Sequence, residues 1–379
     1  MQKKCSNDTS NNPSSDRRVR INLTALSGNC ARIKKIVKES DVIAYVKANA
    51  YGHGLLKVVE NLIDSGVTMF AVASLHELIE IRSLFFDIKV LVGSSFYSEA
   101  SLNLIAKHKG EIVVYSEEQV ELLESLVLPN KLNIWLKINT GMNRMGVTPR
   151  NFNSLLSRLT KCSNINSDNI VLMTHFSCAD DLNPSASMQQ IDKFDTITKG
   201  LPLRRSAANS AAILNLPQSY YDIVRPGILL YGVSPLDYTS ENFLGFKPVM
   251  TVESRVIAVN NCETRDAIGY KATWVAVSKC KIAIVAFGYA DGYPLVIKEH
   301  THVLIKGQRC NIVGRVSMDT MAVDVTNIDA ITIGERVQLW GGDISVNDIA
   351  SSAATIPYEL LTRVSDSRTD YIYENKYDK

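Results

Sequence analysis

The feature that most constrains the fold of this chain is a series of short apolar runs between residues 42 and 228, separated by amphipathic or polar segments. Most of the runs are nearly continuous Val, Ile and Leu, which is typical of strands buried on both faces of a parallel sheet. They are VIAYVK (42–47), MFAVAS (69–74), KVLVG (89–93), EIVVYS (111–116), NIWLKIN (133–139), IVLMTHF (170–176), LRRSAA (203–208) and DIVRPG (222–227). Eight such strands with helices between them predict an α/β fold, a (β/α)8 barrel of the TIM type.

The segments between the runs carry the pattern of amphipathic helices. EEQVELLESLV (117–127) and FNSLLSRLT (152–160) have apolar residues three and four positions apart. Ser116 and Thr148 stand where a hydroxyl side chain caps a helix N-terminus. Strand and helix therefore alternate in this part of the chain, as the predicted barrel requires.

The pattern changes after about residue 240, where β-branched runs follow one another with turn signals and little helix between them. These runs are VMTVESRVIAVN (249–260), CKIAIVAFG (280–288), HVLIKGQRCNIVG (302–314), TMAVDVT (320–326) and GERVQLWG (334–341). We predict a disordered polar tail (1–18), a barrel domain (19–236) and a smaller, mostly β domain (237–379), with the boundary inside GVSPLDYTSEN (232–242).

Composition excludes several functions. The net charge of +2 does not favour a nucleic acid or an anionic membrane surface as partner. No apolar run reaches the ~20 residues that span a bilayer, and the polar first 18 residues lack the apolar core of a secretory signal. The seven cysteines form no CxxC pair or metal-ligand spacing, so we expect reduced thiols, no metal site and a cytoplasmic protein.

Several polar residues follow predicted strands, at the end of a barrel where function is found. Lys47 ends the first run. A partly desolvated lysine has a lowered pKa and can form a Schiff base, although a strand-end lysine can also simply extend to solvent. His175 ends the sixth run, where a histidine is either catalytic or a hydrogen-bonded structural residue.

The loops after the seventh and eighth runs add a candidate phosphate site. Asn209 and Ser210 open a helix in a small-residue loop, which suits either a phosphate or an ordinary N-cap. Arg225 precedes a Pro-Gly turn, in one of the two loops where barrels commonly hold phosphate. An amine, a histidine and two such loops together suggest a phosphate-bearing aldehyde cofactor, pyridoxal 5'-phosphate.

Nine motifs in order make this interpretation more specific. They are VIAYVKANAYGHG (42–54), KINTGMNRMG (137–146), THF (174–176), ANSAA (208–212), RPGILLYG (225–232), IGYKATW (268–274), GYADGY (288–293), GRVSMD (314–319) and TIPYELLTRVS (355–365). With them, the chain from about residue 19 to 373 resembles the alanine racemase family of fold-type III pyridoxal-phosphate enzymes.

The resemblance implies a role for each matching residue. The cofactor-binding set is Lys47, Tyr51, His175, Asn209, Ser210, Arg225, Gly227, Ile228 and Tyr358. Lys47 resembles the lysine that holds the cofactor covalently. Tyr51 and Tyr358 resemble the two tyrosines on its phosphate, together with Ser210 and the backbone of Gly227 and Ile228. His175 would lie against the pyridine ring, and Arg225 would face its nitrogen and leave it unprotonated.

The resemblance also implies two catalytic bases, Lys47 and Tyr270, one for each face of the substrate carbon. Tyr270 would serve the partner subunit's site, which implies a homodimer, and a cationic His175 would lower its pKa. Met318 and Arg144 resemble residues that hold the substrate carboxylate. Tyr289 and Asp319 correspond to residues that line the path of substrate access.

The implied function is the interconversion of L-alanine and D-alanine by a two-base mechanism on a pyridoxal phosphate aldimine, which supplies D-alanine for cell-wall peptidoglycan. Asn139 departs from the Asp that many family members carry. Some members carbamylate the lysine that matches Lys137, and the sequence leaves open whether this one is modified.

Three alternatives stay open. One is a broader amino-acid racemase acting on serine, lysine or arginine, since pocket width is not readable from sequence. The second is a fold-type III decarboxylase, although its glycine-rich phosphate loop and C-terminal cysteine motif are not seen here. The third is a non-catalytic pyridoxal-phosphate-binding protein, which would resemble the barrel alone.

Overall fold

The computed structural model describes residues 16–93, 95, 97–237 and 241–375. Contacts divide them into two compact units: Ala25–Lys247 forms one, and the residues through Thr24 form the other together with those from Pro248 onward. Most of the predicted tail (1–18) lies outside the described residues, but Arg18 is already part of the first strand, β1 (Arg18–Asn22).

The first unit contains the predicted barrel of eight parallel strands. They are β2 (Asp41–Tyr45), β3 (Met69–Val72), β4 (Lys89–Val92), β5 (Glu111–Val114), β6 (Ile134–Lys137), β7 (Val171–Met173), β8 (Arg204–Ser206) and β9 (Ile223–Val224). Neighbours pair in chain order from β2 to β8, and β9 pairs with β2. A parallel bridge between Asn209 and Arg225 links the chain after β8 to the chain after β9. The predicted (β/α)8 fold is confirmed.

Helices connect the barrel strands. They are α1 (Leu23–Val37), α2 (Lys47–Gly52), α3 (Leu55–Asp64), α4 (Leu75–Arg82), α5 (Glu99–Lys107), α6 (Glu117–Ser125), α7 (Pro149–Lys161), α8 (Ser185–Thr198) and α9 (Ser210–Asn215). Thr148 caps α7 by accepting a hydrogen bond from the amide of Asn151, as predicted, and Ser116 stands at the N-cap of α6. None of the helices in the described part of the chain combines the length and apolar character needed to cross a membrane.

The barrel interior is a packed apolar core, so function is confined to the ends of the strands. One buried residue or more from seven of the strands forms this core: Ile43, Met69, Ala71, Leu91, Val113, Trp135, Val171, Met173 and Ile223. Tyr45 packs against this cluster from the carboxyl end of β2. The apolar core therefore lies beneath the side chains at the ends of the strands.

The second unit is built on an eight-stranded sheet, in agreement with the predicted β-rich domain. Its further elements are β10 (Met250–Cys262), β11 (Ala267–Ile268), β12 (Trp274–Val275), β13 (Cys280–Val285), β14 (His302–Ile305), β15 (Gln308–Val313), β16 (Met321–Asp324), β17 (Arg336–Trp340), α10 (Val346–Ser352), α11 (Pro357–Arg363) and β18 (Asp370–Glu374). The sheet order is β13-β16-β15-β14-β17-β10-β1-β18, while β11 and β12 form a separate two-stranded sheet.

The compact units do not follow the predicted domain limits at either end of the barrel. β1 pairs antiparallel with β10 and parallel with β18, so residues that we expected at the start of the barrel complete the second sheet. At the other limit, residues beyond 236 stay with the barrel unit, because Asn29 of α1 exchanges hydrogen bonds with both the amide and the carbonyl of Lys247. The contact boundary falls between Lys247 and Pro248.

Candidate active site

The chain leaves β2 through the segment given above as α2 (Lys47–Gly52), which is a left-handed turn and not a right-handed helix, because the left-handed residues begin directly after Lys47. Ala48, Asn49, Ala50 and Tyr51 all have φ between 53° and 55° with ψ between 38° and 56°. A left-handed conformation costs a non-glycine residue roughly 1–2 kcal/mol, and it normally occurs in single residues. Four in succession therefore require strong support from their surroundings.

Hydrogen bonds to side chains and backbone provide this support. The amide of Ala48 donates to Glu77 Oε1 across 2.6 Å, and Asn49 Oδ1 accepts from the amide of Leu55 at 2.7 Å. Nδ1 of His53 lies 3.1 Å from the carbonyl oxygen of Ala50 and 2.9 Å from that of Tyr51, so it must carry the ring proton. The turn holds Lys47 and Tyr51 at its two ends.

The amine of Lys47 lies in a cationic environment. Burial lowers its pKa, the nearby Arg144 lowers it further, and Glu77 opposes the shift. A lysine with a lowered pKa has more of the neutral amine that reacts with an aldehyde. The surroundings of Lys47 therefore favour the reaction of its amine with an aldehyde.

Lys137, at the end of β6, is 7 % exposed and lies near the same cations. Burial, together with Arg225, Arg144 and Lys47, lowers the pKa of its amine to about 8. The loop that carries Arg144 is organised by Asn139, whose Oδ1 accepts from the amides of Gly141 and Asn143 at 3.1 Å each. Asn139 therefore shapes the loop that follows Lys137.

Arg225 is 3 % exposed and reaches across the end of the barrel. It donates to Ser206 Oγ (2.8 Å) and to the carbonyl oxygens of Thr174 (2.6 Å) and Ala207 (2.9 Å).

The same guanidinium lies 3.2 Å from Nδ1 of His175. Burial and the neighbouring cations, Arg225 first among them, hold the pKa of His175 well below its usual range. His175 is therefore neutral, and the expectation that it supplies positive charge to Tyr270 is not supported.

Ser210, Gly227 and Tyr51 meet in a tight cradle. Ser210 Oγ accepts a hydrogen bond from the amide of Gly227 at 2.8 Å, which leaves its hydroxyl proton to be donated elsewhere. A Cβ added to Gly227 would lie 2.4 Å from Tyr51 Oη, so only glycine fits beside this phenol. Asn209 is the N-cap of α9, where its Oδ1 accepts from the amide of Ala212 at 3.0 Å. Ile228 begins the turn that follows Gly227.

These side chains fit pyridoxal phosphate. The site offers the amine of Lys47, whose pKa is lowered, for the aldehyde, and the positive charges of Arg144, Arg225 and Lys137 suit an anionic phosphate. The hydroxyls of Ser210 and Tyr51 meet beside a glycine that allows close approach. Among the described residues, no group of three or more His, Cys, Asp or Glu side chains could hold a metal ion.

The remaining predicted residues lie in the second unit. The amides of Tyr289 and Ala290 donate to the carbonyl oxygens of Ser317 and Met318, each at 3.0 Å, so the GYADGY and GRVSMD loops lie side by side. Asp319 pairs with Arg368. Tyr289, Met318 and Asp319 are thereby brought together, and the side chain of Met318 is 53 % exposed.

The other two predicted site residues of the second unit are Tyr270 and Tyr358. Tyr270 lies in a short turn after Gly269, whose φ of 74° suits glycine, and its side chain is 69 % exposed. Tyr358 lies in the first turn of α11 and is half-buried.

Comparison with known proteins identifies the family. Two family models match in succession: the N-terminal domain of alanine racemase over residues 21–235 and its C-terminal domain over residues 249–373. This chain belongs to the alanine racemase family. It is 38% identical to the alanine racemase of Vibrio cholerae over 93% of this chain and 97% of that protein. For the alanine racemase of Shewanella denitrificans the identity is 40%, over 92% and 96%.

Solved structures of alanine racemases share the fold. The biosynthetic alanine racemase from Pseudomonas aeruginosa has a TM-score of 0.91 at 35% identity, covering 95% of this chain and all (100%) of that one. The alanine racemase from Acinetobacter baumannii has a TM-score of 0.87 at 36% identity, covering 95% and 100%. The similarity therefore includes both units of this alanine racemase family member.

Sequence reasoning missed two residues of this family member's site. Tyr45 precedes Lys47 by two positions, and its phenol lies within hydrogen-bonding reach of Arg225. The same-face spacing of residues i and i+2 in a strand was the available signal. Glu77 was missed as well, although the Ser74-x-x-Glu77 spacing is a capping-box signature.

Proposed function

We propose that this protein is an alanine racemase that interconverts L-alanine and D-alanine with pyridoxal 5'-phosphate. Family membership over both units and the lowered pKa of the Lys47 amine at the barrel end support the proposal. We further propose a cytoplasmic homodimer that supplies D-alanine for peptidoglycan.

The residues of this chain would hold the cofactor as follows. Lys47 would bind its aldehyde carbon. Tyr51, Ser210 and Tyr358 would donate to its phosphate, with Asn209 and the backbone of Gly227 and Ile228 completing the loop around it. His175 would lie against the ring and Arg225 would face the ring nitrogen. The chemistry supplied by the bound cofactor is delocalisation of the negative charge left on the substrate carbon.

The protein then needs one base on each face of that carbon. Lys47 Nζ would take or return the α-proton on the face of the D isomer. Its lowered pKa favours the neutral amine that this step requires. Tyr270 Oη of the partner subunit serves the L face, and its exposure in a single chain suits a residue that acts across a subunit boundary.

Substrate orientation is assigned to the residues that surround the bases. Arg144 and the backbone amide of Met318 would hold the carboxylate, and Tyr289 and Asp319 would line the access path. Arg225 does not give up its proton, so it would leave the ring nitrogen unprotonated. In this position Arg225 would favour return of the proton to the substrate carbon.

Proton NMR in deuterated water tests the proposal. Purified protein with pyridoxal phosphate and L-alanine should exchange the α-proton for deuterium and produce D-alanine. Exchange without D-alanine would contradict the two-base assignment. L-serine and L-lysine are followed in parallel tubes, because turnover of these and not of alanine would favour the broader racemase. Absence of exchange with all three would favour a non-catalytic cofactor-binding protein.

A further inference from the structure

We propose that Glu77 is a positioning residue for Lys47, acting through the left-handed turn that follows it. The proposal rests on the function proposed above and adds a residue of the adjacent βα unit to that site. Its basis is the placement of one carboxylate between two consecutive loops of the barrel.

The Glu77 carboxylate joins the loop after β2 to the loop after β3. Its Oε1 accepts from the amide of Ala48 at 2.6 Å. Its Oε2 accepts from the amides of Ala73 (2.8 Å) and Ser74 (3.0 Å) and from the Ser74 hydroxyl (3.1 Å). Three backbone amides and one hydroxyl therefore hold the carboxylate in a fixed orientation, because a doubly oriented carboxylate cannot rotate without breaking bonds on both sides.

Capping of α4 does not by itself require the bond to Ala48. Ser74 and Glu77 form a reciprocal capping box within α4, in which the Glu77 amide donates to Ser74 Oγ at 3.3 Å. A capping box uses one carboxylate oxygen on the N-cap amide. The second oxygen of Glu77 instead reaches 29 positions back along the chain, to the first left-handed residue after Lys47.

That bond fixes the backbone where Lys47 leaves its strand. The left-handed conformation of the turn is strained. A hydrogen bond from an amide to a charged acceptor stabilises this backbone more than a hydrogen bond to a neutral acceptor would. Glu77 also places a negative charge near a lysine otherwise surrounded by cations, which favours the protonated amine that Lys47 becomes after accepting a proton. One residue thus sets both the direction of Lys47 and the balance of its two protonation states.

Three variants of the full-length protein separate these effects. Glu77→Gln keeps the size of the side chain and removes the charge and one acceptor oxygen. Glu77→Asp keeps the charge and shortens the reach. Ser74→Ala weakens the α4 cap and leaves the carboxylate available to Ala48. Glu80→Gln, one turn further along α4, is the control for loss of a carboxylate on that helix.

The first measurement is hydrogen exchange of the peptide covering residues 46–54, in protein with and without pyridoxal phosphate. We expect Glu77→Gln and Glu77→Asp to speed exchange at the amides of the turn by roughly tenfold or more, since a bond to a charged acceptor is lost. Ser74→Ala should speed exchange far less, because three backbone amides still hold the carboxylate, and Glu80→Gln should exchange like the wild type. Equal acceleration in Ser74→Ala would reduce Glu77 to a helix cap and overturn the proposal.

The second measurement is the pH dependence of the rate at which cofactor-free protein forms its imine with pyridoxal phosphate, followed by absorbance. Removing the charge in Glu77→Gln should move the midpoint of this profile to lower pH, whereas Glu77→Asp should keep it near that of the wild type. An unchanged midpoint in Glu77→Gln would contradict the electrostatic part of the proposal. Neither measurement requires racemisation, so a protein that fails to racemise alanine would still report on Glu77.

Discussion

Arg225 donates a hydrogen bond to Nδ1 of His175 across 3.2 Å, and this relationship fixes the state of the histidine. A guanidinium has no acceptor, so Nδ1 must accept and the imidazole proton lies on Nε2. Protonation of His175 would break this bond and place a cation against a buried arginine. His175 therefore has a neutral ring with its one N–H group at Nε2.

The first prediction concerns this pair. Replacing Arg225 with Met should raise the pKa of His175 toward its ordinary value, because the largest charged neighbour is removed. Arg225→Lys keeps a charge and should leave the pKa low. NMR of the histidine Cε1–H signals against pH, with the His175 signal assigned through His175→Gln, measures this. Titration of His175 near its ordinary pKa in the wild type would contradict the assignment.

Lys137 gives a second prediction. A buried amine with a pKa of about 8, surrounded by Arg225, Arg144 and Lys47, is suited to react with CO2, because the product carbamate is an anion. We expect protein incubated with ¹³C-bicarbonate near pH 8 to show a carbamate signal by NMR that is absent in Lys137→Gln. Lys89→Gln, on the exposed end of β4, is the control and should keep the signal. No signal in the wild type at saturating bicarbonate would count against modification.

Gly227 gives a third prediction. In Gly227→Ala the new methyl group would lie 2.4 Å from Tyr51 Oη, so the phenol must move out of the cradle. Loss of a hydrogen bond from Tyr51 to a charged phosphate should weaken cofactor binding roughly tenfold or more. Gly28→Ala is the matched control, since a Cβ at Gly28 in α1 meets nothing within 4 Å. Absorbance titration with pyridoxal phosphate compares the two, and equal affinities would contradict the predicted role of Tyr51.

His53 should make the stability of the protein sensitive to acid. Burial lowers the pKa of its imidazole from 6.5 to about 4. Between these pH values the unfolded state binds a proton that the folded state does not. Above pH 6.5 the free energy of unfolding therefore does not depend on His53. It decreases as the pH falls from 6.5 toward 4, by about 3 kcal/mol in total.

Urea unfolding at several pH values tests this effect. His53→Asn keeps an N–H donor for the carbonyl groups of Ala50 and Tyr51 but does not titrate. Its stability should fall less steeply than that of the wild type between pH 6.5 and 4. Parallel slopes for the two proteins would show that His53 is not the group responsible.

The proposed sharing of the site between two subunits gives a fifth prediction. Lys47→Ala and Tyr270→Ala should each be inactive alone. In a heterodimer of the two, one of the two sites would combine an intact Lys47 with an intact Tyr270 from the partner. Mixed subunits should therefore recover activity, up to half that of the wild type for each heterodimer. No recovery in heterodimers verified by mass would contradict an active site completed by the partner.

Local patterns carried much of the fold and the barrel-end site. The apolar runs located the strands because strands buried on both faces need continuous apolar sequence. The order of the runs placed Lys47, His175, Ser210 and Arg225 at or just after strand ends, and the structure has each of them within four residues of the end of a barrel strand. What local pattern could not supply was pairing between distant parts of the chain. β1 joins β18 across more than 300 positions, and nothing within Arg18–Asn22 indicates that partner.

The backbone conformation after Lys47 also could not be predicted from local sequence. Ala48, Ala50 and Tyr51 have no preference for left-handed conformations, so a sequence argument would place them in a right-handed helix or an extended loop. The conformation depends on Glu77 from the next βα unit and on His53 beyond the turn. A conformation that its own residues disfavour is determined by its neighbours, and only the three-dimensional structure displays them.

The left-handed turn also bears on the order in which the protein matures. A strained segment held by its neighbours cannot form early in folding, because the unsupported chain has no reason to adopt it. We therefore expect Lys47 to reach its place only after β3 and α4, which carries Glu77, have packed beside β2. Binding of the proposed cofactor should then follow the packing of both βα units, so a partly folded chain should react poorly with an aldehyde.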